Sequence, residues 1–95
     1  MAQKLDQEGW EGFVALCVKA KSLREFNKLF DLFCTREEKE TLAKRFLIVK
    51  ALEAGALTQR KIAKKFHVSI AQITRGSNAL KIVDAELKKF LENSL

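Results

Sequence analysis

The chain repeats apolar residues at helical spacing along most of its length. Between residues 9 and 20 they recur every three to four positions and predict a first helix. A second apolar stripe follows Ser22, and a third runs from Thr35 to about Glu53, where Gly55 can end the helix. Proline is absent and glycine occurs four times, a composition typical of helices joined by short turns. The pattern predicts an all-α fold.

Short polar segments mark the expected helix starts. In a capping box, a Ser or Thr side chain and a Glu or Gln three residues later satisfy each other's backbone N–H groups. Three segments have this pattern: Ser22–Glu25, Thr35–Glu38 and Ser69–Gln72. Thr58 can cap a short helix that ends at Phe66, and residues 84–95 are expected to form a C-terminal helix. About six helices are therefore expected.

The third predicted helix is apolar around most of its circumference. At 100° per residue its apolar side chains form one stripe and then continue around the helix: Leu42, Phe46, Val49, Leu47, Ile48 and Ala51. A surface helix of a monomer needs only one apolar stripe. Because 95 residues offer little material to cover the rest, the sequence favours an extensive homodimer core over a self-sufficient monomer.

Residues 58–81 have the organisation of a helix-turn-helix. A short helix precedes a break at residues 67–69, and a second helix begins at Ser69. The second helix has a polar front without acidic groups and a back formed by Ile70, Ile73, Ser77 and Leu80. His67 stands where such turns usually have a left-handed glycine, and histidine adopts that conformation at moderate cost. The segment is typical of DNA readers.

Basic residues concentrate in the same part of the chain. The formal net charge is +6, and residues 54–83 contain six basic residues and no acidic one. Elsewhere twelve basic and twelve acidic residues cancel. A patch of this kind favours a polyanion as partner, with a solvated lysine-rich surface as the alternative.

Several functional classes are disfavoured by what the sequence lacks. No apolar run approaches the roughly 20 residues of a membrane span and no signal peptide is recognisable, so we expect a cytoplasmic protein without membrane contact. His67 is the only histidine, which disfavours a metal site, and Cys17 and Cys34 are expected to be reduced and buried. No nucleophile has an evident histidine partner, so no enzymatic activity is expected.

One run is more specific than the general pattern. The segment ITRGSNALK at residues 73–81, preceded by LTQRKIA and SIAQ, closely resembles the tryptophan operon repressor family, and the likeness extends upstream to Trp10. The resemblance implies an intertwined helical homodimer that binds a palindromic operator when loaded with L-tryptophan as corepressor. It implies a single domain over residues 1–95, with a dimerisation core at 1–54, the helix-turn-helix at 58–81 and a C-terminal helix at 84–95.

The resemblance also implies a corepressor pocket. Arg45 and Arg75 would hold the indole between them, and Arg75 with the hydroxyl of Thr35 would bind the carboxylate. The remaining pocket positions would be Leu32, Cys34, Val49, Gly76 and Ala79. Two positions depart from the family pattern, because Ala79 replaces a serine that helps hold the ammonium group and Cys34 replaces a larger leucine. With these two changes, the resemblance implies a tryptophan-like ligand but not strict selectivity for tryptophan.

For DNA, the resemblance points to the two helices of the motif. Arg60 is the candidate for a bidentate guanine contact. Lys44 and Lys81 match phosphate-region positions, and Lys64 can replace a family lysine that is Ala63 here. The other candidates for DNA contact are Gln59, Ile70, Ala71, Gln72 and Thr74.

Two alternatives remain from the sequence. The chain could be a repressor of the same fold that is gated by a different indole-type ligand or is not gated. It could also be a helical protein-interaction module whose basic face docks an acidic partner.

Overall fold

Six α-helices make up most of the chain in a computed structural model, which describes residues 2–95. No strand occurs among these residues. The helices are α1 (Ala2–Val18), α2 (Leu23–Phe33), α3 (Arg36–Ala54), α4 (Gln59–Phe66), α5 (Ile70–Lys81) and α6 (Ala85–Ser94). The predicted all-α fold and the expected number of helices are confirmed.

The polar segments start the helices as predicted. The hydroxyls of Ser22 and Thr35 accept the backbone N–H groups of Glu25 and Glu38, each at 3.1 Å. The Thr35 box is reciprocal, because Thr35 N–H donates to Glu38 Oε1 at 2.8 Å. At α2 the second bond of the predicted box differs, because the Glu25 carboxylate accepts the N–H of Lys21, at 3.0 Å, rather than the N–H of Ser22.

Helix α1 begins earlier than the apolar pattern predicts, at Ala2 rather than near Gly9. Residues 2–8 are rich in Ala, Gln, Lys and Glu, which favour helix by intrinsic propensity. Gln7 Nε2 donates to Glu11 Oε1 one turn later at 3.2 Å. Leu5, the one large apolar side chain in this stretch, is 67% exposed. Propensity extends the helix here, and a search for apolar periodicity does not detect it.

The chain divides into two compact units, residues 1–39 and Glu40–Leu95. The first unit holds an aromatic cluster centred on Phe13. Its ring lies 5.4 Å from Phe33 and 5.7 Å from Phe30, both edge to face, and 5.9 Å from Trp10. These spacings are typical of favourable aromatic pairs.

The aromatic cluster is nevertheless open to solvent. Among residues 2–39 only Cys17 is buried, and Trp10 is 65% exposed. A hollow of about 550 Å³ lies beside Trp10 and Phe13, with Gly9 and Gly12 on its wall. A Cβ added at either glycine would meet nothing within 4 Å. The first unit therefore presents an apolar concavity that its own side chains do not fill.

The second unit has a small, well-packed core. Ile48 on α3, Ile62 on α4, Val68 in the turn and Ile73 on α5 form one buried cluster. Ile62 and Ile73 are fully buried. The C-terminal half of α3 therefore supports both helices of the predicted motif.

Gly76 allows α5 to approach α3 closely. A Cβ at this position would lie 3.0 Å from Ile48 Cγ2 and 3.6 Å from Leu52 Cδ1. A contact of 3.0 Å is tighter than ordinary packing, and Ile48 is itself only 2% exposed. At the end of α3, Gly55 adopts φ 69°, as a left-handed helix end requires.

The second half of the chain also leaves apolar residues uncovered. On α3, Leu42 and Phe46 are about half exposed while Ile48 is buried, so part of the apolar surface predicted around this helix remains uncovered within one chain. No helix among residues 2–95 combines the length and apolar character needed to cross a bilayer.

Candidate nucleic-acid interface and ligand site

Helix α4 is fixed at its start by a polar cap and an apolar contact. Thr58 Oγ1 accepts the N–H of Lys61 at 3.2 Å. Leu57, just before the cap, packs on the same core as Ile62, one turn into the helix. This arrangement is a hydrophobic staple, which sets the direction from which the chain enters the helix. Gln59 and Arg60 are therefore held on a rigid first turn, and both are exposed.

The turn after α4 contains the left-handed residue that the sequence predicted. His67 has φ 56° and ψ 46° and is the one non-glycine residue with positive φ among residues 2–95. The N–H of Val68 donates to the carbonyl of Ala63 at 3.1 Å, as in Schellman-type helix ends. Val68 is buried, so the turn is packed against the core.

Helix α5 starts with a reciprocal capping box. Ser69 Oγ accepts the N–H of Gln72 at 3.1 Å, and Gln72 Oε1 accepts the N–H of Ser69 at 2.8 Å. Val68 and Ile73 repeat the staple pattern at this helix. Since the Gln72 oxygen is used by the cap, its amide N–H groups are the donors that remain for a partner.

The faces of α5 separate as predicted with one exception. Ile73 and Gly76 are buried, and Ser77 and Leu80 are half-buried. Ile70 was assigned to the packing face, and that assignment is wrong, because the side chain is 51% exposed. It occupies the first residue of the helix, where α4 no longer covers it. Its neighbours in the candidate DNA-reading set are exposed as well: Ala71, Gln72 and Thr74.

The cations of this region lie in solvent. Arg60, Lys64 and Lys81 are exposed, as are Lys44 on α3 and two further cations of the predicted basic patch, Lys61 and Lys65. Lys65 Nζ lies 5.6 Å from the centroid of the Phe66 ring. The helical spacing of Lys61, Lys64 and Lys65 against the buried Ile62 could have identified them as one exposed face.

The candidate ligand residues of the second unit lie on α3 and α5. Arg45, Arg75 and Ala79 are exposed, Val49 is half-buried and Gly76 is buried. Arg75 immediately precedes Gly76, whose backbone lies against Ile48. Arg75 is therefore next in sequence to a close contact between α5 and α3.

The other candidate ligand residues belong to the first unit. Leu32 is exposed and Cys34 is half-buried. Both cysteines are free thiols, and Cys17 is buried as expected. Thr35 is occupied by the α3 cap, where its backbone N–H and then its hydroxyl lower the pKa of the Glu38 carboxyl below the ordinary value. A ligand carboxylate would compete with Glu38 for the single hydroxyl proton of Thr35.

Comparison with known proteins identifies the family. Residues 8–95 match the family described as Trp repressor protein. A Trp operon repressor homolog of Chlamydia caviae is 56% identical over 93 residues, which cover 98% of this chain and 92% of that protein. A homolog of the same name from Chlamydia trachomatis serovar D is 47% identical over 95% of this chain and 96% of its own length. Another, from Vibrio vulnificus strain YJ016, is 36% identical over 100% of this chain and 93% of its own length.

The chain belongs to the Trp repressor protein family. The resemblance read from the sequence is confirmed. Members of the Trp repressor family are regulatory DNA-binding proteins rather than enzymes. Among residues 2–95 no group of three or more His, Cys, Asp or Glu side chains is arranged to hold a metal ion.

The sequence analysis did not predict the packing contacts through which α3 supports α5. Ile48 and Leu52 hold α5 through Gly76, but the sequence analysis treated Gly76 only as a border of the ligand ring. The contact of Gly76 with α3 joins residues that are distant along the chain, so no local spacing in the sequence predicts it. The side chain of Asp84, which caps α6 by accepting the N–H of Leu87 at 2.7 Å, could have been found from its polar position before the last helix.

Proposed function

We propose that the chain is a DNA-binding transcriptional repressor that reads a palindromic operator as a homodimer and is gated by L-tryptophan. The observation that carries the proposal is the construction of α4 and α5. Their apolar faces are buried on one core, and their outer faces carry the whole net charge of +6 without a single acidic side chain. A rigid cationic surface of this kind suits the phosphate backbone and the major groove.

Base reading is assigned to the exposed residues of the first turns of α4 and α5. Arg60 can bind the O6 and N7 acceptors of guanine with both arms of its fork. Gln72 can donate from its amide nitrogen, which the capping box leaves free. Further contacts are assigned to Gln59, Ile70, Ala71 and Thr74, and phosphate contacts to Lys44, Lys64 and Lys81.

A second copy of the chain is the proposed cover for the apolar surface. Large apolar side chains of α1, α2 and α3 remain exposed in a single chain. Monomeric proteins rarely expose contiguous apolar patches of more than a few hundred Å². Two copies also give two reading surfaces, which bind adjacent half-sites when they lie about one DNA turn apart, roughly 34–36 Å.

Gating follows from the position of Arg75. The guanidinium of Arg75 and that of Arg45 are assigned to the indole and carboxylate of tryptophan, with Thr35, Leu32, Cys34 and Val49 completing the site. Arg75 lies on α5, the reading helix, so a ligand that binds it also biases the orientation of α5. By linkage, operator DNA raises tryptophan affinity by the same factor that tryptophan raises operator affinity.

A second candidate gate is an indole-type ligand without an ammonium group. Ala79 is exposed and has no hydroxyl with which to hold an ammonium. The loss of one neutral hydrogen bond weakens binding by about 0.5–1.5 kcal/mol. Calorimetry with L-tryptophan, indole and indole-3-propionate separates the two gates, because only tryptophan carries the ammonium. Restoration of tighter tryptophan binding by Ala79→Ser would assign the difference to this position.

The central experiment is fluorescence anisotropy of an operator duplex with and without L-tryptophan at several salt concentrations. The duplex is first selected from a random pool in the presence of tryptophan. We expect tighter binding with tryptophan at every salt concentration. Equal affinity with and without the ligand would remove the gating, and the absence of any selected sequence would remove the repressor proposal.

Arg60→Ala separates a DNA reader from a protein-interaction module. A reader should lose about 1–3 kcal/mol of operator binding and its discrimination at one base pair. Lys64→Ala is the matched control, because it removes a charge from the same helix but should weaken all sequences about equally. A module that docks an acidic partner would show no sequence preference in either variant.

A further inference from the structure

We propose that His67 is an additional DNA-backbone contact, which makes DNA binding by this chain stronger as the pH falls through the range in which imidazole titrates. The inference rests on the proposed DNA-binding function. It starts from the backbone of the turn, where His67 is the one non-glycine residue at positive φ among residues 2–95.

The left-handed conformation by itself calls for glycine rather than histidine. An L side chain is strained at φ 56°, whereas glycine adopts this conformation freely. A side chain retained at such a cost normally contributes packing or a polar contact within the fold. His67 contributes neither, because it is exposed and its imidazole takes part in no hydrogen bond, ion pair or ring contact within the described residues. Its ring is available to a partner outside the chain.

The position of the turn brings this ring near DNA phosphates. In a helix-turn-helix the first turn of the second helix meets the base edges, and here that turn begins at Ile70. Consecutive Cα atoms are about 3.8 Å apart, so His67 lies at most about 11 Å from that residue. Because the major groove is about 8.5 Å deep and bordered by phosphates, a residue within this distance of the base-reading turn can lie at the edge of the groove. The imidazole can therefore reach the backbone when α5 occupies the groove.

The charges around the turn leave the imidazole without a competing anion. Helix α4 carries Lys64 and Lys65 in its last turn and Arg60 and Lys61 in its first, and the first turn of α5 carries no charged side chain. On α3, the element packed beneath both helices, the charged side chains of the C-terminal half are Lys44, Arg45, Lys50 and Glu53. Glu53, the only carboxylate among them, lines a hollow with Leu91 and Glu92 of α6 and makes no ion pair with His67.

Contact between His67 and a phosphate would determine how DNA affinity depends on pH. A phosphate within hydrogen-bond reach of an imidazole favours its protonated form. Imidazole titrates near pH 6.5, and DNA raises the pKa of a histidine that contacts phosphate. Protons and DNA therefore bind cooperatively, and affinity increases as the pH falls from 7.5 to 5.5.

The test measures binding of a fluorescein-labelled 30-base-pair duplex of arbitrary sequence to the full chain, because phosphate contacts do not depend on sequence. Between pH 7.5 and 5.5 we expect the affinity to rise about threefold per reading surface, as for an exposed charge pair. The slope of log K against log salt should steepen by about 0.9 per reading surface.

Two variants assign the effect. His67→Asn keeps a residue that tolerates the left-handed conformation but does not titrate, and it should lose the pH-dependent gain in affinity and slope. His67→Lys should bind at pH 7.5 as the parent does at pH 5.5. A pH response that is the same in the parent and in His67→Asn would overturn the inference while leaving DNA binding intact. No binding at any pH or salt would overturn the proposed function with it.

Discussion

The two units of the chain contain similar proportions of apolar residues but bury them to different extents. In the second unit Ile48, Ile62, Val68 and Ile73 are buried together, and the polar face of the motif is held in place by that core. In the first unit the ring of Phe13 contacts those of Phe30 and Phe33, yet among residues 2–39 only Cys17 is buried. The comparison indicates that the second unit is shaped by its own packing, whereas the first leaves many of its large apolar side chains exposed within a single chain.

Charge divides along the same boundary. The first 39 residues carry seven basic and seven acidic side chains, whereas residues 40–95 carry eleven basic and five acidic side chains. A neutral, apolar unit suits association between copies, and a cationic unit suits a polyanion. Substitutions that should affect one unit and not the other can therefore test whether the two units have separate functions.

The largest expected effect comes from the second unit's core. Ile73→Ala removes a fully buried side chain and should lower the free energy of unfolding by about 2–5 kcal/mol. Ile70→Ala is the matched control on the same helix, because its side chain is 51% exposed and the change should cost less than about 0.5 kcal/mol. Urea unfolding of both variants checks the contrast. Equal losses would mean that α5 is not anchored through Ile73.

The next effect concerns association through the first unit. Phe33 is 52% exposed, so Phe33→Glu should be tolerated by an isolated chain but not by an apolar interface between two copies. We expect the dimer dissociation constant to rise by at least about 30-fold, or roughly 2 kcal/mol, measured by sedimentation equilibrium. Phe33→Leu keeps the apolar character and should remain a dimer. A parent chain that sediments as a monomer would refute the assignment.

A smaller effect on stability, of opposite sign at the two positions, is expected when Gly76 and Gly12 are each replaced by alanine. Gly76→Ala inserts a Cβ 3.0 Å from Ile48 Cγ2, and its crowding should outweigh the gain in helix propensity, with a net loss of about 1 kcal/mol. Gly12→Ala adds a Cβ that meets nothing within 4 Å of its own chain, so a single chain should gain about 0.5–1 kcal/mol. Chemical denaturation of both variants gives the signs. A stabilised Gly76→Ala would show that α5 can shift away from α3.

The smallest effect is a pH dependence in one capping box. Hydrogen bonds from Thr35 lower the pKa of Glu38, so their stabilisation is complete above the ordinary value near 4.3 and is lost as the pH falls through the lowered pKa. The Ser69 box uses neutral Gln72 and should not respond. NMR titration of the Thr35 and Ser69 amides between pH 7 and 3 compares them. Glu38→Gln should make the Thr35 amide as insensitive as that of Ser69.

Local signals determined most of what the sequence could predict. Capping patterns at Thr35, Thr58 and Ser69 identified helix starts because the bonds involved span only three residues. The left-handed His67 was predicted from its place between two helices, since a three-residue turn leaves few backbone conformations. Absence of acidic residues from 54–83 predicted the cationic face because solvation keeps charged side chains outside.

The candidate ligand site was less accessible to sequence reasoning. Arg45 and Arg75 are exposed arginines whose suggested role came from resemblance alone. The capping box predicted at Thr35 already accounts for its hydroxyl, and pattern gives no sign of a further ligand contact, because both roles use the same residue type. The ligand assignment therefore depends on the proposed experiments more than the DNA-facing surface does.

The sequence by itself determined the helices, their caps, the turn and the location of the charge, because each depends on neighbours within about one turn. Only the tertiary structure decided that Ile70 faces solvent, that Gly76 lies against Ile48, and that the aromatic residues of the first unit remain open. Periodicity specifies which face of a helix is apolar, but not whether another element covers it. Burial is settled by contacts between residues far apart in the chain, and those depend on the packing of whole helices.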